Sequence, residues 1–190
     1  MNVAREFATV DLVTGSYAET RGVDAFALAL IKAERQIRRL VTHLVYQSPS
    51  FTASHIPQLR DALWNNRHVY FEGFECGFDA LYPRSVAQLT GDTYGRLRPR
   101  LDEAIDHRNK IFHGQLTSKY LSREDLLGFV ADIRAWCESL ARATEAEFRY
   151  DGFSDSFRKS AVVDLARLLR IQFMDVATYV QFIREYMQRR

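Results

Sequence analysis

Cysteine and long apolar runs are scarce in this sequence, and each shortage excludes a class of protein. The 190 residues contain two cysteines, Cys76 and Cys137, which are too few for a scaffold held by disulfides. Both lie in apolar helical runs, where we expect buried, reduced thiols. No stretch is apolar for the length of a membrane-spanning helix, and the N-terminus has no signal-peptide pattern. We therefore expect a soluble, cytoplasmic protein.

Strong net charge and the common phosphate-binding and nucleophile motifs are also absent. There is no glycine-rich phosphate loop and no Gly-x-Ser-x-Gly sequence. The net charge of +2 gives no general sign of a polyanionic partner. Only four of the 26 basic residues are lysine. Arginine suits bidentate contacts with phosphate, but a high share of arginine can also follow from genome composition. The arginine content therefore does not decide between these two explanations.

The residues that are present favour a well-packed helical domain. Hydrophobic residues make up 47% and aromatic residues 13% of the chain, enough for a bulky core. From Phe26 to Leu44, apolar residues recur every three or four positions, which predicts an amphipathic helix over about 24–46. Similar spacing predicts the remaining helices, over about 56–65, 71–81, 93–113, 122–147, 159–171 and 174–188.

Signals for β-structure are weak and confined to residues 7–13. We therefore predict an all-α fold, with an antiparallel helical bundle over 23–148. An N-terminal segment, 1–22, precedes the bundle, and additional C-terminal helices over 149–190 pack on it. Gly114 suits the end of one bundle helix and Ser122 the start of the next.

One charged residue lies where the helical pattern predicts the core. Residues 106–114 read Asp-His-Arg-Asn-Lys-Ile-Phe-His-Gly. Steps of three and four from Leu97 through Leu101 and Ala104 reach Arg108. A buried guanidinium needs an anion, a carboxylate or a wet cavity. Two purely structural alternatives are that the side chain of Arg108 extends to the edge of the helix or pairs with a carboxylate of the core.

His113 follows Arg108 by five positions, at the predicted end of the same helix. Five helical steps give a net rotation of about 140°, so the two side chains do not converge in a straight helix. They can line one groove if the helix end is distorted or if a second copy supplies a facing pair. Asn109, directly after Arg108, and Gly114, directly after His113, make the pattern more specific than the spacing alone.

The bare spacing carries little weight, because Arg38 and His43 repeat it. That pair lacks the following Asn and Gly and does not end a predicted helix. We interpret Arg38, with Arg35 and Arg39, as a solvated helix face.

Arg108 to His113 resemble the Arg-Asn-x-x-x-His motif of the HEPN superfamily (higher eukaryotes and prokaryotes nucleotide-binding). This form occurs in ribonucleases that include toxins, anti-phage defence proteins and the nuclease domains of RNA-cleaving CRISPR effectors. The resemblance implies a bundle of four or five helices and a homodimer with two facing motifs in a composite active site. It also implies an antitoxin or regulatory partner. The chain lacks the Tyr shortly after His that marks many members paired with a nucleotidyltransferase antitoxin.

The resemblance implies a metal-independent endoribonuclease without a cofactor, with Arg108 and His113 as catalytic residues. RNA supplies its own nucleophile, the 2′-OH beside the scissile phosphate. An imidazole titrates near neutrality and can serve as general base or acid, the expected role of His113. A guanidinium can stabilise charge on the phosphate, the expected role of Arg108. Asn109 and Lys110 are expected to contact the substrate.

Other interpretations remain open at this level. The bundle could bind RNA or a nucleotide through Arg108 without cutting, or serve as a helical adaptor. We expect no metal site, because Asp106, His107 and His113 lack the i, i+4 histidine spacing of helical zinc sites.

The predicted helix over 71–81 offers further candidates that we interpret as structural. Its aromatic residues could stack on bases but are expected in the core: Tyr70, Phe71, Phe74 and Phe78. Its acidic residues are expected on the solvent side: Glu72, Glu75 and Asp79. The first two could instead pair with Arg108.

Overall fold

The computed structural model describes residues 3–66, 69–114, 120–160 and 164–188, and every regular element in these ranges is helical. The predicted all-α class is confirmed. The α-helices are α1 (Val3–Thr14), α2 (Arg21–Tyr46), α3 (Ile56–Asn65), α4 (Phe71–Leu81), α5 (Val86–Thr90), α6 (Asp92–Phe112), α7 (Arg123–Phe148), α8 (Leu165–Leu168) and α9 (Val176–Phe182). A 3₁₀ turn, Ala53–His55, precedes α3, and a π-helix, Ile183–Met187, follows α9. In the ranges given above, no helix combines the length and hydropathy needed to cross a membrane.

The apolar stripe predicted for α2 forms the centre of the core. Its members are all at most 1% exposed: Phe26, Leu30, Ala33, Ile37, Leu40 and Leu44. The long helix α7 buries a matching stripe that includes Ile133, Cys137 and Leu140. Ser122 caps α7 as predicted, since its hydroxyl accepts from the amide of Asp125 at 3.1 Å. The periodic burial of both helices explains why their bounds could be predicted within a few residues.

α2 and α7 run parallel, which differs from the predicted antiparallel packing. A Cβ placed on Gly22, at the start of α2, would lie 3.1 Å from Cγ of Arg123, at the start of α7. Near the other end, the rings of His43 and Phe148 are 6.3 Å apart between centroids. α6 does run antiparallel to α7, because Tyr94 near its start packs on Trp136 whereas His107 near its end packs on Phe129, earlier in α7. Hydropathy patterns give each helix a buried face but not the direction of its neighbour.

The N-terminal segment is helical, and the β character predicted for residues 7–13 is wrong. Val3, Phe7 and Val10 lie on one face of α1 and are at most 2% exposed. On the outer side, Glu6 contacts the Nζ of Lys32 at 3.4 Å and the guanidinium of Arg35 at 3.5 Å. Packing against α2 and α7 therefore overrides the weak β propensity of this segment.

The C-terminal region is less helical than the spacing predicts. Of the helix expected over 159–171, residues 161–163 lie outside the described residues, and only Leu165–Leu168 is helical in the remainder. The second expected helix is present as α9 and the π-helix. Side chains of this region complete the bundle core, among them Phe153, Phe173 and Tyr179, each at most 3% exposed.

A close contact joins the π-helix to α4. A Cβ on Gly73 would lie 2.0 Å from the carbonyl oxygen of Met187, so only glycine permits this approach. The backbone of the C-terminal region is also tied down, because the amide of Arg170 donates to the carbonyl of Leu81 at 2.9 Å. The C-terminal residues thus pack closely against both ends of α4.

The two cysteines differ in their surroundings. Cys137 is fully buried in α7, as predicted, and burial raises the pKa of its thiol. Cys76 is exposed on α4, so the prediction of burial is wrong for that residue. It falls outside the apolar stripe of α4, whose large buried side chains are those of Phe71, Phe74, Phe78 and Leu81.

Candidate functional site

A cleft of about 630 Å³ lies between α2, the start of α4 and the C-terminal half of α6. We call it the Arg108 cleft. Three residues of the predicted motif line it: Arg108, Asn109 and His113. Asn109 and His113 are exposed, and the side chain of Arg108 is 26% exposed. Lys110 is not part of the lining. Its Nζ lies 2.7 Å from the carboxylate of Asp106, a residue that does line the cleft.

His113 stands at the end of α6 and lines the same cleft as Arg108. The helix stops at Phe112, and His113 has φ −90° and ψ 6°, the bridge conformation that follows many helices. Gly114 continues with φ +64°, the left-handed conformation of a C-terminal cap, as predicted. The amide of His113 still donates to the carbonyl of Asn109 at 3.1 Å, so His113 keeps the position of a final helical residue and the chain leaves the helix only after it.

Arg108 is held by a carboxylate that sequence analysis did not single out. Its Nη2 donates to Oε1 of Glu34, a residue of α2 whose side chain is 33% exposed. Arg108 was expected to need an anion, a carboxylate or a wet cavity, and it has both the carboxylate and the cleft. Glu34 could have been noticed, because a charge one turn after the buried Leu30 interrupts the apolar face of α2.

The charges of the Arg108 cleft are largely balanced by ion pairs. Four carboxylates line it: Glu34, Glu72, Asp102 and Asp106. Ion pairs within the described residues join Glu34 to Arg108, Asp102 to Arg98 and Asp106 to Lys110. Such a cleft holds its cations in fixed positions but does not by itself attract a polyanion strongly.

The inner wall of the cleft contains a buried ion pair between α4 and α6. Nε of Arg98 lies 2.8 Å from Oε2 of Glu75, and their side chains are 11% and 7% exposed. Burial opposes the charge of Arg98, but the hydrogen bonds that it donates to Asp102 and Glu75 raise its pKa. The predicted solvent position of Glu75 is therefore wrong. It faces α6, from which the long side chain of Arg98 reaches it.

The aromatic residues of the α4 segment divide into core and surface. Phe71, Phe74 and Phe78 are at most 9% exposed, as predicted. Tyr70 is 56% exposed and lines the Arg108 cleft, so its predicted place in the core is wrong. It precedes the first residue of α4 and therefore escapes the packing that buries the helical stripe.

The residues considered for a metal are not gathered at one point. His107 is 2% exposed and packs edge-on against Phe129, with ring centroids 5.6 Å apart. Asp106 and His113 line the cleft without it. In the part of the chain that the structure describes, no group of three or more His, Cys, Asp or Glu side chains has the arrangement of a metal site.

The second Arg-x-x-x-x-His pair is separated by the fold. Arg38 is exposed, as predicted for a solvated face, whereas Arg39 is partly buried and donates to the carbonyl of Phe153. His43 is 2% exposed and stacks on Tyr150 at 4.2 Å between centroids. Burial lowers the pKa of His43 to about 4, so the ring is neutral near pH 7. This pair cannot act as the Arg108 and His113 pair could.

Comparisons of this chain with protein-family models, with curated proteins and with solved structures find no match. What is known of this chain's site is therefore the geometry of the motif and the chemistry of its side chains.

Proposed function

We propose that this protein is a metal-independent endoribonuclease of the HEPN type that cuts RNA in the Arg108 cleft. One observation carries the proposal. Arg108, Asn109 and His113, the residues that the motif marks, line one open cleft, although five helical steps rotate the last side chain by about 140° from the first. A guanidinium and an accessible imidazole on one cleft are the groups that RNA cleavage through the 2′-OH requires.

The chemistry follows from what each group can donate or accept. An imidazole of His113 accepts the proton of the 2′-OH as the oxygen attacks the adjacent phosphorus. The bond from phosphorus to the 5′-oxygen breaks, and an imidazolium, in the dimer that of the second copy, protonates this leaving oxygen. The products are a 2′,3′-cyclic phosphate and a 5′-hydroxyl end. Arg108 stabilises the extra negative charge on the non-bridging oxygens in the transition state.

Glu34 fits this scheme as a positioning residue. Its carboxylate contacts Nη2 of Arg108, while a guanidinium has five N–H donors. Donors on Arg108 therefore remain for a phosphate without breaking the pair. The ion pair also fixes the guanidinium against α2, which lowers the entropy lost when the substrate is bound.

A homodimer is part of the proposal, and exposed apolar side chains near the cleft support it. Phe112, directly before His113, is 63% exposed, and Tyr70, on the cleft wall, is 56% exposed. Ile31, one turn before Glu34 on α2, is 51% exposed. A second copy that covers these side chains would bring its own motif close to the first. Light scattering on the purified protein should give twice the chain mass, and Phe112→Arg should give a monomer.

The helical bundle is proposed to be of the HEPN type, and the protein to act on cytoplasmic RNA as a toxin or defence effector with an antitoxin or regulatory partner. Expression of the wild-type chain in a bacterial host should then stop growth, and His113→Ala should restore it. Growth inhibition that persists in His113→Ala would separate toxicity from cleavage.

The decisive experiment is cleavage of single-stranded RNA by the purified chain in excess chelator. We expect cyclic-phosphate products from the wild type, a loss of about 10²–10⁴-fold in rate for His113→Ala, and no cleavage of DNA. His55→Ala, which changes a histidine outside the cleft, is the matched control. No cleavage by the wild type, or equal rates for the wild type and His113→Ala, would remove the proposal.

The ion pair between Glu34 and Arg108 favours a second candidate, a helical module that binds RNA or a partner without cutting. In that case Arg108 is mainly structural, and Arg108→Ala should lower thermal stability as much as Glu34→Ala does. For the nuclease, Arg108→Ala should abolish cleavage even under conditions in which the variant is fully folded. Circular dichroism beside the cleavage assay distinguishes the two.

A further inference from the structure

A second cleft, of about 550 Å³, lies on the other side of the start of α4. We call it the Arg38 cleft. α2 contributes Arg38 and Arg39, α3 contributes Arg60 and Trp64, and the segment after α7 contributes Phe157. Neither the HEPN motif nor any residue that was assigned above to catalysis belongs to this lining.

The Arg38 cleft concentrates positive charge that the described residues do not neutralise. Arg38, Arg39 and Arg60 line it together with one carboxylate, that of Asp155. Oδ1 of Asp155 accepts the backbone amide of Phe157 at 3.1 Å. Within the ranges that the structure describes, none of the three arginines forms an ion pair, whereas most charged side chains of the Arg108 cleft do.

Because Arg39 is partly buried, the repulsion between the neighbouring guanidinium groups raises the free energy of the protein without a ligand. Burial, together with the neighbouring charges of Arg35 and Arg38, lowers the pKa of Arg39. Among the residues that the structure describes, the hydrogen-bond partner of its Nη1 is neutral, the carbonyl of Phe153. A bound anion would offset the repulsion between these guanidinium groups, and a phosphate matches their planar donor geometry.

An aromatic surface accompanies the arginines. Trp64 follows Arg60 by one helical turn, so both side chains lie on the same side of α3. Its indole is 73% exposed, although tryptophan is usually well covered. Arg60 itself lies over the ring of Phe157, with Cζ 5.1 Å from the centroid. An open indole beside unpaired guanidinium groups suits a planar base attached to a phosphate, more than it suits an acidic peptide.

The two clefts are neighbours. Glu34, on the Arg108 cleft, and Arg38 are one turn apart on α2, a rise of about 6 Å. The start of α4 forms the wall between them, with Phe71 on one side and Phe74 on the other. A flexible single strand that occupies one cleft can therefore continue into the other.

We propose that the Arg38 cleft binds a nucleotide of single-stranded nucleic acid, with a phosphate on Arg38, Arg39 and Arg60 and a base stacked on Trp64. Its use as a docking site for the RNA that is cut at Arg108 rests on the proposed function, but the binding itself does not. The arginines contact phosphate and the indole contacts a base face, so single-stranded RNA and DNA share the necessary chemistry.

The test uses His113→Ala, which should not cut, and a short fluorescein-labelled single-stranded RNA in an anisotropy titration. Trp64→Ala in this background should weaken binding by about tenfold. Trp64→Phe should retain most of the affinity, because a ring remains. Arg38→Gln and Arg60→Gln should each weaken binding, whereas Arg142→Gln, an exposed arginine that lines neither cleft, should not.

Intrinsic fluorescence provides an independent measurement. The chain has two tryptophans, and Trp136 is buried at 1% exposure, so quenching by an unlabelled oligonucleotide reports on Trp64. A DNA strand of the same sequence should quench similarly but resist cleavage by the wild type. Binding through Trp64 without cleavage would support this inference and remove the nuclease. Cleavage with equal RNA affinity for Trp64→Ala would overturn this inference alone. Quenching by polyglutamate and not by RNA would overturn it in favour of an acidic protein partner.

Discussion

The Arg108 cleft and the Arg38 cleft share the start of α4 as a wall but satisfy their charges in different ways. In the first, Arg108 is paired with Glu34, and Arg98 with Glu75 and Asp102. In the second, three arginines face one carboxylate and an exposed indole. Fixed, compensated charges suit a site that must position a reacting phosphate, while uncompensated charges suit a site that must attract one. The proposed division is therefore between turnover in the first cleft and affinity in the second.

The largest expected effect is a loss of kcat from a change in the Arg108 cleft, compared with a rise of KM from a change in the Arg38 cleft. Arg108→Ala should lower kcat by about a thousandfold, because a donor to the transition state is removed. Arg38→Gln should raise KM by about tenfold and leave kcat unchanged, because it weakens ground-state binding. Steady-state kinetics on one RNA substrate measures both. The comparison fails if Arg38→Gln lowers kcat as strongly as Arg108→Ala does.

The next effect concerns the buried pair behind the Arg108 cleft. Glu75→Ala leaves the guanidinium of Arg98 with only its exposed partner and should cost about 3 kcal/mol of unfolding free energy. Asp102→Ala removes that exposed partner, 62% accessible, and should cost about 1 kcal/mol or less. Urea unfolding at pH 7 measures both. Equal losses would contradict the view that burial, and not the number of contacts, stabilises this wall.

A smaller effect concerns the pH dependence of stability, which reports on the buried His43. The folded protein holds the pKa of His43 near 4, whereas the unfolded chain protonates near 6.5. Between these values the unfolded state binds more protons, so stability is complete above pH 6.5 and falls as the pH falls towards 4. From pH 7 to 4.5, wild type should lose about 2–3 kcal/mol more than His43→Gln does. His55→Gln should follow wild type, and a parallel pH profile for His43→Gln would refute the assignment.

The smallest expected effect is a change of slope. For single strands, each arginine that replaces a counterion on phosphate contributes about −0.7 to the slope of log K against log salt. Arg38→Gln should make the slope shallower by about this amount, and Arg167→Gln, outside both clefts, should leave it unchanged. Oligonucleotide titrations at several salt concentrations measure the slope. An unchanged slope for Arg38→Gln would mean that Arg38 does not contact phosphate.

Local patterns explain which features could be predicted from the sequence. Four helices could be predicted because each buries apolar residues at regular intervals: α2, α4, α6 and α7. The interval between apolar residues can be read from the sequence of one segment alone. The sequence did not predict α1, because residues 7–13 by themselves show a weak β pattern. They are helical because Phe7 is buried against two other helices, α2 and α7, which are distant in the sequence. Similarly, Glu75 was expected in solvent because nothing within α4 indicates that Arg98 lies opposite.

By itself, the sequence determined that the chain is all-α and that Arg108, Asn109 and His113 stand in a specific order at the end of one helix. Those properties depend on neighbours along the chain, through periodic burial and the glycine cap. Tertiary structure alone decided that α2 and α7 run parallel, that Glu34 holds Arg108, and that arginines from two helices meet beside Trp64. These are contacts between distant segments, and their partners follow only from how buried faces pack together.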